Sequence, residues 1–316
     1  MPYGLPNWDD LVLSLLMKAK WPGTPTGRPP VEDWEAEFPH YRRALGKWML
    51  EHFRFEPVKL ARLFADDPKL KPKLRDALYA PLRSGAARAR PTSLKAVVNL
   101  IDEGWRNHHP IRAVITLNYD DLLETELRRS GITCTSVFSA YQKEDGLPVY
   151  HLHGFLPRTG DIPAQQLIFT ESDYHAVASS GYEWAVQTII HHLYKHNVLF
   201  VGVSLKDPNL RRFLDAVHPD STEPRHFAIR DDYVVSPEEM GSVADNIEEK
   251  AKAFGQEMER TEVEEPLDLR AAVAEVCRRA HDYDRKAFNS LGVRPIWVRD
   301  PADISLVLDA IRTGKC

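Results

Sequence analysis

Between Ile111 and Val298 short apolar runs rich in β-branched residues recur, and several stop abruptly at small or polar residues. Runs of this length and composition are expected for strands buried on both faces, as in a parallel sheet. The pattern predicts strands at 111–117, 133–138, 148–152, 166–170, 197–203, 225–230 and 293–298. Helical periodicity separates several of them; in 182–196, Val186, Ile189, Ile190, Leu193 and Tyr194 share one face. Strands alternating with helices predict an α/β chain with a doubly wound, mainly parallel sheet.

Upstream of Ile111 the reading is helical. A first helix is expected at 9–18, then a Pro/Gly-rich turn from Trp21 to Pro30. From Val31 to Arg106, Trp34, Phe38, Tyr41, Leu45, Trp48 and Met49 recur at three- and four-residue spacings, with short helices expected at 57–65, 70–82 and 92–106. The organisation is therefore residues 1–30 and 107–316 as a sheet domain, with 31–106 as an inserted all-helical module. Asp121 and Glu124 have capping-box spacing at the head of a helix. Residues 231–266 are charged and read as a solvated helix or linker. Leu267–Ser290 is helical, and Asp300-Pro301 reads as cap and first position of a closing helix.

Composition excludes several classes. The formal charge of -5 gives no general attraction to nucleic acid or an anionic membrane. No apolar run approaches membrane-spanning length and no signal core follows Met1, so a cytoplasmic chain is expected. Cys134, Cys277 and Cys316 lie far apart, which argues against a zinc ribbon and a disulfide framework.

Three strand ends carry the chemistry: Thr116-Leu117-Asn118-Tyr119-Asp120, Leu152-His153-Gly154 and Gly202-Val203-Ser204-Leu205. In open parallel sheets, ligands bind beyond the carboxyl ends of the strands. Each segment has a bland reading: Asn118 in a turn, Asp120 or Asp121 as a cap, His153 packed in the core, Gly202 and Ser204 in a tight turn. The functional reading rests on finding all three in one chain. His151 lies two residues before His153, on the same side of the strand, and reads as a packed residue deeper in the sheet.

In this order, T-x-N-x-D, L-H-G and G-x-S-L resemble the sirtuin signature. The wording Asn118-Tyr119-Asp120-Asp121-Leu122-Leu123-Glu124 and Gly202-Val203-Ser204-Leu205-Lys206-Asp207 is similar to the prokaryotic sirtuin-like branch, whose members are often anti-phage proteins that hydrolyse NAD. The resemblance extends to Gly4-Leu5-Pro6-Asn7-Trp8 and to Phe169-Thr170-Glu171-Ser172-Asp173-Tyr174. It implies a Rossmann-like fold with NAD as substrate. Asn118 would hold the nicotinamide ribose and the attacking water, and His153 would act as general base. Thr116 and Asp120 would serve the same NAD site, and Gly202 and Ser204 would line its adenosine and phosphate side. It also implies a homo-oligomer or a partner defence protein that activates an otherwise silent enzyme.

Two departures qualify the likeness. Deacylating sirtuins carry a four-cysteine zinc module that three cysteines cannot build, so no zinc is expected. The family's Gly-rich phosphate loop would end where the chain starts, at Met1-Pro2-Tyr3-Gly4, so either the native start lies upstream or the loop is lost. The expected activity is NAD glycohydrolysis to nicotinamide and ADP-ribose. The alternatives are a non-catalytic NAD or ADP-ribose sensor or an inactive subunit and, with less weight, a protein deacylase.

Overall fold

Every strand pairing among the described residues is parallel, as the doubly apolar runs predict. The computed structural model describes Leu11 and residues 69–83, 92–108, 110–165, 167–170, 172–173, 175–176, 183–203, 205, 207–218, 223–231, 241–250 and 269–315. Outside them lie the rest of the helix expected at 9–18, the turn at 21–30, and residues 31–68 and 84–91 of the helical module, including the helix expected at 57–65. The charged stretch 232–266 does too, apart from a helical run at 241–250. The chain divides into two units, Met1–Thr188 with Ser305–Cys316, and Ile189–Ile304.

The first unit holds helices α1 (Leu70–Arg83), α2 (Thr92–Arg106) and α3 (Leu122–Arg129), with strands β1 (Val114–Thr116), β2 (Cys134–Val137) and β3 (Leu147–His151). The strand order β1-β3-β2 makes β3 the central strand. Val98 and Ile101 of α2 and Leu127 of α3 form one core with Cys134, Leu147 and Val149. A separate core gathers Leu74, Ala77, Leu78 and Tyr79 of α1 around Tyr119, Leu156, Leu167 and Phe169. Helix α1 thus packs on the segments that leave β1 and β3, where a ligand site is expected.

The second unit carries β4 (Leu199–Phe200), β5 (His226–Asp231) and β6 (Val293–Val298), with β5 central. Its helices are α4 (Trp184–Lys195), whose amino-terminal turn precedes the unit, α5 (Pro208–Val217) and α6 (Leu269–Ser290). Leu193, Phe200, Leu210, Leu214, Ala228, Phe288 and Val293 form its core. The Arg225 guanidinium donates to the carbonyls of Leu193, Tyr194 and His196, closing the carboxyl end of α4. Helix α7 (Asp303–Arg312) returns the chain to the first unit.

The structure corrects three local expectations. Residues 167–170 form no strand. Their amides turn elsewhere: Ile168 N–H donates to the His153 carbonyl, and the Phe169 and Thr170 N–H groups donate to Asp173 Oδ2 at 3.1 and 2.8 Å. The apolar run there reflects burial in the α1 core rather than sheet pairing. The closing helix begins at Asp303 and not at Pro301, because Ala302 and Asp303 N–H are taken by the Asp300 side chain and carbonyl. The Asp121/Glu124 capping box is absent as well. Asp121 makes no side-chain cap bond, and Glu124 turns into the core.

Candidate functional site

The parallel register aligns Thr116 with His151, the last residues of β1 and β3. Two residues further along each chain come Asn118 and His153, so both leave the carboxyl ends of neighbouring strands. Backbone bonds hold these exits side by side: Leu152 N–H donates to the Thr116 carbonyl at 3.1 Å, and Leu156 N–H to that of Tyr119 at 2.7 Å. Gly154 closes the turn after β3 with φ +101°, a left-handed conformation suited to glycine, and its N–H reaches the His151 carbonyl.

The asparagine segment is shaped locally. Asn118 N–H donates to Thr116 Oγ1 at 3.1 Å, leaving the Asn118 side chain exposed. Leu122 N–H donates to Asp120 Oδ1 at 3.1 Å, so Asp120 rather than Asp121 serves the head of α3. Burial pushes the Asp120 carboxyl up to about 6, against the opposing pull of the Leu122 amide and His151. Asp121 instead ties two loops: its Oδ2 accepts Arg158 N–H, and its Oδ1 accepts the Tyr79 hydroxyl. Tyr79 of α1 also donates to the Leu156 carbonyl at 2.8 Å and accepts Asp121 N–H at 3.0 Å. Burial, then Asp121 and Asp120, hold that phenol above its ordinary range, so it stays protonated.

Beneath the asparagine lie two groups that the sequence reading did not assign to the site. His151 is fully buried, with Nδ1 2.9 Å from the Asn118 carbonyl oxygen and Nε2 2.7 Å from Glu124 Oε1. Glu124, equally buried, also accepts the Ser136 hydroxyl at 2.7 Å. Burial alone would raise the Glu124 carboxyl, but the bonds from His151 and Ser136 outweigh it and leave it lowered. The available signal was that Glu124 lies one helical turn before Leu127, on the apolar side of α3.

Thr116, Asn118, Asp120 and His153 therefore come together in the first unit. Gly202 lies in the second unit, in the turn after β4, with φ +68° and nothing within 4 Å of where a Cβ would stand. Ser204 lies outside the described residues. Downstream of that turn, Asp207 Oδ1 accepts Leu210 N–H at 3.4 Å, in keeping with Asp207-Pro208 opening α5.

The family model of the SIR2-like domain matches residues 112–255, a span containing all three motifs. Over this span the chain is similar to SIR2-like domains. No curated protein matches the chain. SIR2-like domains use NAD, which accords with a polar strand-end site on a parallel α/β sheet. Among the described residues, no group of His, Cys, Asp and Glu gathers as metal ligands, and no helix is long and apolar enough to cross a membrane.

Proposed function

We propose that the SIR2-like domain hydrolyses the nicotinamide–ribose bond of NAD, releasing nicotinamide and ADP-ribose. The observation that carries the reading is the alignment of Thr116 with His151, which sends Asn118 and His153 out of adjacent strand ends. An exposed asparagine amide offers a donor and an acceptor, enough to fix both a ribose hydroxyl and a water. The half-buried His153 imidazole is of the residue type most often used as a general base.

In the proposed reaction the C1′–N bond breaks and its electron pair goes to the nicotinamide ring, which leaves neutral. The ribose carbon takes on oxocarbenium character, water adds to it, and the water proton passes to His153. Asp120, two residues after Asn118 in the chain and mostly ionised at neutral pH, has the sign that favours developing positive charge. Gly202 and Ser204 are assigned to the adenosine and phosphate side on the motif resemblance alone.

Incubation of the purified chain with NAD, with nicotinamide and ADP-ribose separated chromatographically, tests the reading. Asn118→Ala and His153→Ala are each expected to lower turnover by about 10²–10⁴-fold. Intact NAD in the presence of the wild-type chain, alongside calorimetric binding of NAD, would instead support the sensor. The similarity of Asn118–Glu124 to the anti-phage branch supports a role in defence by NAD depletion, with an oligomer or partner protein as the trigger. Cellular NAD that stays level during phage infection of cells carrying the chain would remove that role.

A further inference from the structure

We propose that Glu124 and His151 are positioning residues: a buried dyad that fixes the backbone at Asn118 and so aims its side chain for catalysis. The inference rests on the NAD hydrolysis proposed above and assigns that site its supporting layer.

The Asn118 carbonyl oxygen can only accept, so the His151 nitrogen facing it at 2.9 Å carries a proton and donates. This fixes the imidazole at Nδ1. At its other end Nε2 and Glu124 Oε1 share one proton across 2.7 Å. Glu124, whose carboxyl is held below its ordinary range, is the anionic member, and the pair is neutral as a whole. Neutrality is what full burial of both side chains demands. Glu124 is anchored in turn by the Ser136 hydroxyl, so α3, β2 and β3 all brace one ring.

A dyad serving only the fold is the plain alternative, but buried ion pairs are a poor source of stability compared with apolar side chains of similar size. Here the outward-facing bond ends on the carbonyl of the candidate asparagine. Glu124 acts on Asn118 through His151, as a carboxylate orients a histidine in other catalytic sites. Neither residue is placed against the substrate. His153, two residues on, keeps the proton-transfer role.

The test uses the full chain and two readouts: kcat and KM for NAD cleavage, and hydrogen exchange of the peptide covering Leu117–Leu122, each on material with wild-type circular dichroism. His151→Phe fills the ring's space while removing both bonds; it is expected to lower kcat about 10–100-fold with KM within about threefold, and to raise exchange of that peptide. Glu124→Leu, the second variant should the first fail to fold, is expected to act in the same way. Glu124→Gln can donate an amide hydrogen to Nε2, preserving the Nδ1–H bond, and is expected to recover most of the turnover. Folded His151→Phe or Glu124→Leu with wild-type exchange across Leu117–Leu122 would overturn the proposal. Raised exchange in a series where even the wild type leaves NAD intact would uphold the hold on Asn118 and overturn the reaction.

Discussion

Burial shifts the titration of single side chains in this fold, and each shift has a measurable consequence. His226 accepts Val198 N–H through Nδ1 and must be neutral to do so. Burial, helped by Arg225 and His218, lowers its pKa to about 4. An unfolded histidine titrates near ~6.5, so between that value and about 4 the unfolded chain binds a proton that the folded chain lacks. Stability is therefore expected to fall as pH drops through this window, and thermal melts from pH 7.5 to 4.5 check it; His226→Asn should flatten the dependence. Asp120 behaves in the opposite sense. Its folded pKa of about 6 lies above the unfolded value, so its contribution is full at low pH and is lost as pH rises towards 6. Asp120→Asn is accordingly expected to raise Tm at pH 7.5 by a few degrees while weakening NAD turnover. Neither shift was legible in the sequence, since burial of one carboxyl or imidazole depends on partners far along the chain. The motif residues Asn118 and His153 were legible, because strand ends announce themselves by an abrupt change of polarity. Glu124 was misread for a related reason. Cap spacing is a local pattern, whereas its bond to His151 spans 27 residues.

At the scale of elements, close packing at two points holds the first sheet, one where β3 begins and one where β1 and β3 end. Gly146, just before β3, has φ +76°, and a Cβ there would run into the Thr133 carbonyl, which itself accepts Leu147 N–H. Gly146→Ala combines backbone strain with a clash against backbone and is expected to destabilise the chain by about 2–4 kcal/mol, measured by urea denaturation. Tyr79 joins α1 to the loops after β1 and β3. Removing its hydroxyl in Tyr79→Phe leaves the Leu156 carbonyl and Asp121 N–H without that partner, at an expected cost of about 1–3 kcal/mol. Periodicity found α2 at its observed limits and α1 to within a residue, because both bury one continuous stripe. It failed at 167–170, where an apolar run is buried without a strand neighbour. Hydrophobicity reports burial, and only the backbone partners distinguish a strand from a packed loop.

At the scale of the whole molecule, the chain leaves its first unit after Thr188 and comes back to it at Ser305. On that return Leu308 is fully buried, and Arg312 lies 3.5 Å from Glu103 of α2. Leu308→Ala is expected to destabilise by about 2–5 kcal/mol through the cavity it leaves, again read by urea denaturation. Sequence alone showed an α/β chain, yet the division of the described strands into two three-stranded sheets was hidden, since which strands pair depends on contacts between distant segments. The return of α7 also has a temporal meaning. Proteins are made from the amino end at roughly 5–20 residues per second. The Asn118 and His153 segments emerge from the ribosome well before the helix that completes their unit. While Ile189–Ile304 is being translated, Leu308 and Arg312 have yet to join the unit that holds the candidate site.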